Sequence, residues 1–472
     1  MVSIRKLSMK SIGPFENDEF EFQKSEDGTD IHIIVGPNGT GKTTILHSLA
    51  GAFDYFQPDH AEHVSNNIHK RFIKLNGKFS EDDKELPNSY SHTILLNDKG
   101  KVIDKIINFG CKNCGNIHQH FEKTISHNLF KSKNGNNYQN QPQNKDLLYY
   151  KSAIKSKDLI GKKLKFAAFG YSGYRFIESE EVEIKDKENF NPLHLALEFV
   201  KKKDGSEKEF KLSNWIVSRH SKAALEEIGG NKVLAARLRH GSDKLIECIN
   251  ELTENQYSIK IETNPWNVGI IYCGKTLEFD VLPDGLRSIL SWLGDLLMRL
   301  DAIPWEDDAL LTTEQNILLF LDEIEVHLHP TWQYKILNML KKLLPNAQIF
   351  ITTHSPFIIN SIDNAKIYIL ELDNCKSKLK EVLNSETGWS VEYVLEHILN
   401  TKNRFGYETT IDLKRFNEIA QEISNRNFDK EVEFHQLIKK LANDGEEVAA
   451  IIAPKLFRLE KVTEKKYLEW KE

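Results

Sequence analysis

The sequence predicts an α/β protein: a mixed sheet with an antiparallel β-subdomain, an inserted helical segment and a C-terminal helical region. Three observations predict it. A compact β-branched run, Ile31–Val35, reads as a buried central strand and runs straight into the glycine-rich loop GPNGTGKT, Gly36–Thr43. Three later strand signals, Asn316–Asp322, Gln348–Thr352 and Lys366–Leu372, alternate with helical segments, the pattern that builds a mostly parallel sheet. From Ser390 onward the pattern is charged and helical, without strand signals.

Size and composition fit that class. At 472 residues the chain exceeds one small core, and a prior of about 100–200 residues per domain suggests two to four lobes. It is 40% hydrophobic and 28% charged, with 63 basic and 69 acidic residues and a net charge of -6. That balance excludes a chain that binds nucleic acid over its whole surface, so any such contact needs a local patch. No apolar run approaches the ~18–20 residues of a membrane span, and the start MVSIRKLSMK lacks the apolar stretch of a signal peptide. The five cysteines (Cys111, Cys114, Cys248, Cys273, Cys375) are odd in number and mostly scattered, which argues against a disulfide framework. A cytoplasmic protein without a membrane partner is expected.

In chain order, 1–54 and 166–190 are expected to form one lobe. Ile4 to Phe22 reads as two strands around a Gly13-Pro14 turn. Ile45, Leu46, Leu49, Ala50 and Phe53 mark the face of a helix after the glycine loop. Residues 55–165 read as an insertion, with a hairpin from His92 to Ile107 turning at Asn97-Asp98-Lys99-Gly100. Within it, Lys131 to Lys165 carries nine lysines against two aspartates and reads as exposed and partly flexible. Its charge fits a solvated surface, with phosphate-backbone contact as the alternative. Residues 191–280 read as a β/helical insert, in which Tyr257 to Val281 is a strand meander turning at Asn264-Pro265 and Gly274. Residues 281–375 open with an amphipathic helix bearing Leu286, Ile289, Leu290, Leu293, Leu296, Leu297 and Leu300 on one face. Residues 376–472 are assigned to a helical interaction region.

The chemistry starts at the glycine loop. Gly36, Gly41, Lys42 and Thr43 fit the spacing G-x-x-x-x-G-K-[ST], in which glycines let successive N–H groups curl around phosphate oxygens. The following helix adds its positive end. Gly36, Pro37, Asn38, Gly39, Thr40, Gly41, Lys42, Thr43 and Thr44 are therefore the expected ATP contacts, with Lys42 on the β- and γ-phosphates and the Thr43 hydroxyl on Mg²⁺. The alternative, a plain glycine turn, is disfavoured by the buried strand before the loop and the helix after it.

A magnesium nucleotide needs a second acidic site, and ILLFLDE supplies one. Asp322 emerges at the carboxyl end of the strand, where open α/β sheets place ligands, and would hold Mg²⁺ through water. Glu323 is the candidate to polarise the attacking water; capping of the next turn is the alternative role for the pair. His327 and His329 precede Pro330 and suit packing at a helix start better than metal binding. The next strand ends in TTHSP, so His354 should emerge beside Asp322 and Glu323, placed to sense the γ-phosphate. Separately, Cys111, Cys114, His118 and His120 form a candidate zinc knuckle, with a surface insertion carrying reduced thiols as the alternative.

A glycine loop near the start, LDE far downstream and TTHSP one β-α-β unit later resembles the ABC ATPases of the SMC, RecF and OLD type. The resemblance implies an ABC-type ATPase head whose ATP sites form between protomers of a head-to-tail homo-oligomer. It also implies that LPDGLRS, Leu282–Ser288, is the signature segment, with Asp284, Gly285 and Ser288 facing a partner's nucleotide. Pro283 stands where the family has serine, which weakens that clasp. No glutamine stands in AAFGYSGYR, Ala167–Arg175, where the family places a second Mg²⁺ ligand. No long heptads and no TOPRIM-like acidic cluster follow. LPDGLRSILSWLGDLLMRLDA, FLDEIEVHLHP, QIFITTHSPF and GWSVEYVLEHIL look most like the ATPase subunits of Septu-type anti-phage systems, also found with some retrons. This implies a nucleotide-dependent regulator of a separate HNH nuclease that hydrolyses ATP to ADP and phosphate. The alternative is a stand-alone RecF-like DNA-binding ATPase of recombination or repair, using the lysine-rich segment.

Overall fold

The computed structural model describes residues 2–53, 90–96, 102–110, 117–121, 145–173, 191–197, 212–401 and 405–467, apart from single positions inside 145–173 and 191–197. The chain divides into two units, Met1–Val394 and Leu395–Glu472.

In the first unit, β1 (Ser3–Ile12) and β2 (Phe15–Glu21) form an antiparallel hairpin about Gly13-Pro14. β3 (Ile31–Val35) leads into α1 (Lys42–Ala50). β4 (Tyr90–Leu96), β5 (Val102–Gly110) and β6 (Ile117–Phe121) form an antiparallel meander, and α2 (Lys145–Ile154) precedes β7 (Phe166–Tyr171). A helical hairpin follows, α3 (Leu212–Ile228) and α4 (Lys232–Thr253). Next comes a three-stranded sheet of β8 (Ser258–Thr263), β9 (Trp266–Tyr272) and β10 (Lys275–Leu277). Then come α5 (Asp284–Ile289) and α6 (Asp295–Ala302), joined by a π-helical turn at Leu290–Gly294. The unit closes with β11 (Asn316–Leu321), α7 (Pro330–Leu343), β12 (Ala347–Thr352), β13 (Lys366–Asp373) and β14 (Lys376–Asn384).

The main sheet has the order β6-β5-β4-β1-β2-β14-β13-β3-β12-β11-β7. Its β13-β3-β12-β11-β7 half is parallel, and its β6-β5-β4-β1-β2 half is antiparallel. The parallel strands explain their own sequences: every residue of β3, β7 and β11 is buried, as expected where helices cover both faces. Phe320 stacks on Phe350 at 5.4 Å between ring centroids, and Phe350 on His32 at 4.8 Å. This packing fixes the carboxyl ends of β3, β11 and β12 side by side.

Four expectations need correction. The stretch assigned to an insertion, 55–165, contributes β4, β5 and β6, which extend the main sheet from β1. Its lysine-rich segment is not wholly exposed: α2 buries Leu147, Tyr150 and Ala153, and Tyr150 stacks on Phe166 at 4.7 Å. Residues 131–144 lie outside the described residues. The leucine-rich helix after Pro283 does not run as one amphipathic rod; the π turn interrupts it, and Ser291, Trp292 and Gly294 are buried along with the leucines. Shifting the register by one residue brings more than one face inward. Finally, the stretch expected to be helical from 376 begins with a strand. Asn374 and Cys375 both adopt left-handed conformations, φ 50° and 63°, the backbone of a two-residue hairpin turn, and β14 returns antiparallel along β13.

The second unit contains α8 (Tyr407–Ser424), α9 (Glu431–Asn443) and α10 (Glu446–Thr463). It has its own core, in which Phe416 and Phe434 stack at 5.1 Å among Ile419, Leu441 and Ile452.

Candidate nucleotide site

The site lies at the carboxyl ends of β3, β11 and β12. The glycine loop leaves Val35 and enters α1 through Gly41, at φ 82°. A Cβ on Gly41 would lie 2.6 Å from the Phe15 ring and 2.9 Å from Pro14. The β1–β2 turn therefore closes down on the loop, and only glycine fits. From the other side, the Ser377 hydroxyl donates to the Thr40 carbonyl at 2.7 Å, and the Ser377 N–H donates to the Pro14 carbonyl at 2.8 Å. The unforeseen β14 thus braces the loop. Pro37, Asn38 and Gly39 form its exposed rim, and the buried Thr40 hydroxyl is bonded to the Pro37 carbonyl at 2.8 Å. Thr44 is also buried, its side chain packed beneath Gly13, which leaves only its backbone N–H for a phosphate.

The Lys42 ammonium folds over the loop, donating to the carbonyls of Gly36 at 2.9 Å and Pro37 at 3.2 Å. Burial pushes its pKa down, while the carboxylates of Asp322, Glu323 and Glu325 act to hold it up. Those are the acids at the end of β11. The Thr43 hydroxyl donates to Asp322 Oδ1 at 3.1 Å, which joins the loop to the acidic strand end. Thr352, the last residue of β12, donates its hydroxyl to the same oxygen at 2.5 Å. The same hydroxyl accepts the Glu323 N–H at 2.8 Å. Glu323 is held at φ 47°, a left-handed conformation that costs a non-glycine residue roughly 1–2 kcal/mol. The Thr352 bond offsets that cost, and the Glu323 side chain lies against Gly173 just beyond β7.

His354 follows at the end of β12. Its imidazole is held below the ordinary histidine pKa, first by partial burial and then by the Lys42 charge, with Asp322 opposing. Lys42, Thr43, Asp322, Glu323 and His354 therefore share one site. His329 caps α7, its Nδ1 accepting the Thr331 N–H at 3.3 Å, a helix-start role as the sequence suggests.

The donor set fits Mg-ATP. A hydroxyl and a carboxylate on neighbouring elements suit a hard cation that keeps its waters, and a curled loop at a helix start suits phosphate. The remaining expected residues divide. Asp284 is exposed and pairs with Arg287 at 3.6 Å. Gly285 is buried; a Cβ there would lie 2.6 Å from the His327 carbonyl oxygen and 2.8 Å from the Trp332 ring. Ser288 is fully buried, and its hydroxyl has no hydrogen-bond partner among the described residues. Ser288 faces the interior, so the outward reach expected of it is not what this fold provides. The signature start packs instead on the turn between β11 and α7.

For zinc, Cys111 and Cys114 lie outside the described residues. His118 and His120 stand on β6, in register with Phe109 and Ile107 of β5. Among the described residues no group of three or more His, Cys, Asp or Glu is arranged to hold a metal. Also among the described residues, no helix is long and apolar enough to cross a membrane. Two further residues of the site, Thr352 at the first threonine of TTHSP and Glu325 at the last position of DEIE, carry no local signal in the sequence.

Residues 138–360 match the family described as "AAA domain, putative AbiEii toxin, Type IV TA system", and residues 2–84 match a second AAA domain family. The chain is 22% identical over 410 residues to the Septu protein PtuA of Bacillus thuringiensis, covering 84% of each chain. It is 24% identical over 419 residues to the Retron Vc95 probable ATPase of Vibrio cholerae serotype O1 biovar El Tor, covering 79% of this chain and 75% of that one. Among solved structures, an SMC head bound to the C-winged helix domain of ScpA aligns with a TM-score of 0.43 and 14% identity, over 81% of this chain and 98% of that one. The chain is thus related over most of its length to PtuA and a retron probable ATPase, and it carries AAA-domain sequence in two segments.

Proposed function

We propose that this relative of PtuA and the retron ATPases binds and hydrolyses Mg-ATP as a regulatory subunit of an anti-phage defence complex, and that its nucleotide state controls a separate HNH-type nuclease. The observation that carries the catalytic part is the Thr43–Asp322 bond at 3.1 Å, with Glu323 next in sequence and Lys42 within reach of the same acids. In this reading the loop N–H groups and Lys42 hold the phosphates, and bound Mg²⁺ supplies charge neutralisation. Thr43 and Asp322 hold that ion, Glu323 takes the proton of the attacking water, and His354 faces the γ-phosphate end. The likeness to the Septu protein PtuA along most of both chains supports the defence setting. The same reading includes head-to-tail pairing, in which the start of α5, open to solvent at Pro283 and Asp284, meets the nucleotide of a second copy.

Lys42→Ala should lose nucleotide binding. Glu323→Gln should bind ATP with near-native affinity yet turn it over at least ~100-fold more slowly, the scale of losing a general base. Equal turnover in wild type and Glu323→Gln would remove Glu323 from its role. Co-purification from the native operon followed by mass spectrometry tests the partner. Recovery of the chain without a nuclease, together with tight and salt-sensitive DNA binding, would favour a stand-alone DNA-binding ATPase instead.

A further inference from the structure

Glu325 has no part in the roles assigned above, yet its carboxyl is tied into the site. It lies three residues past Asp322, in the turn that carries the chain from β11 toward α7. Its carbonyl accepts the Leu328 N–H at 2.9 Å, which fixes the turn. The side chain points back across to the end of β12. There Oε1 accepts the backbone N–H of His354 at 2.6 Å, and the Thr353 hydroxyl bonds the same carboxyl. Oε2 is buried without a hydrogen-bond partner among the described residues. Burial, the largest influence, raises the pKa of this carboxyl, and the Glu323 charge adds to the rise. A buried carboxyl with one oxygen unpartnered is expensive. Its compensation is the short bond to His354, so the geometry of that residue depends on it.

We propose that Glu325 is a positioning residue: by accepting the His354 N–H it fixes the Thr353–His354 segment, and so sets where the His354 imidazole stands relative to the glycine loop. Glu325 does not touch nucleotide; it acts through His354. The effect on turnover rests on the ATPase reading above, but the positioning itself is a property of the nucleotide-free chain. The same carboxylate has a competing role. Glu325 is one of three carboxylates acting on Lys42, so its charge alone could matter. Glu325→Gln separates the two, because glutamine keeps a carbonyl acceptor of the same reach and removes the charge.

The test uses the full chain and four variants: Glu325→Ala, Glu325→Gln, His354→Ala, and Glu325→Ala combined with His354→Ala. Without nucleotide, hydrogen exchange read by mass spectrometry should show the segment containing His354 exchanging faster in Glu325→Ala by roughly tenfold or more, the factor expected for losing a bond to a charged group. Glu325→Gln should stay near wild type, and its matched side-chain volume keeps the test readable if the alanine variant is poorly folded. In ATP turnover, Glu325→Ala should lower kcat with KM within about twofold of wild type, the signature of lost transition-state placement. Added to His354→Ala, it should cause no further loss. Unchanged exchange at His354 in Glu325→Ala would overturn the proposal. So would a glutamine variant as impaired as the alanine one, or a full additional loss in the His354→Ala background. If wild type shows no turnover at all, the ATPase reading fails, while the exchange result still decides the role of Glu325.

Discussion

Thr352 takes no part in chemistry, but one hydroxyl does two jobs. It donates to Asp322 and accepts from the N–H of Glu323, so the proposed Mg²⁺ carboxylate and the proposed general base are held from one atom. Thr352→Val keeps the shape and removes both bonds. It leaves an N–H and a carboxylate oxygen short of partners, a cost of about 1–3 kcal/mol. We expect a lower melting temperature and a raised Mg²⁺ requirement for turnover, both restored in Thr352→Ser. His32 sets a different balance beneath the same sheet. It is fully buried with Nε2 2.9 Å from Asp30 Oδ1. Burial first, and the charges of Arg5 and Lys366 after it, hold its pKa below the ordinary value against the pull of Asp30. The unfolded chain binds this proton near pH 6.5, whereas the folded chain resists it. Stability is therefore full above that pH and falls as pH drops below it. Urea midpoints measured between about pH 7 and 5.5 should decline in wild type, and His32→Gln should flatten the slope; an unchanged slope would place its source elsewhere.

At the scale of elements, the start of α5 and the turn after β11 are a tight pair. Gly285→Ala would drive a Cβ into the His327 carbonyl and the Trp332 ring. That pushes on the segment bearing Glu323 and Glu325 while leaving the glycine loop alone. Turnover should fall at least ~10-fold with nucleotide binding retained, the pattern of misplaced catalytic groups; titration of a fluorescent ATP analogue beside a phosphate-release assay would show it. This packing also explains what was legible in the sequence. The strand–loop–helix around Gly36–Thr43, the buried run ending at Asp322 and the strand ending at His354 all carry local signals, a β-branched run or a fixed spacing, and the fold places them as read. Residues whose role is set by a distant neighbour carry no such signal. Thr352 and Glu325 look like ordinary polar residues until β11 and β12 lie side by side. β14 hid for a related reason: with most of its residues at least partly exposed, KSKLKEVLN lacks the apolar run that marks a central strand, and only Asn374 at the turn hinted at a hairpin. Ser288 misled because the signature pattern gives the helix start but not which side of the helix the rest of the fold covers.

The whole molecule is two units with separate cores, and the nucleotide site belongs wholly to the first. Phe434→Ala removes one ring of the Phe416–Phe434 stack in the second unit and should cost about 3–5 kcal/mol there. Calorimetry should show a lowered transition for that unit, with ATP affinity unchanged. A coupled loss of affinity would mean the two units are not independent. The bond between Thr43 and Asp322 spans 279 positions of sequence, and that separation has a consequence in time. A ribosome adding ~5–20 residues per second needs roughly 15–55 s to travel from one to the other. During that interval the emerging chain displays a glycine loop whose acidic counterpart has not yet been made. In the proposed reading, the complete magnesium-nucleotide site is therefore a late acquisition of synthesis, reached only after Asp322 has been made.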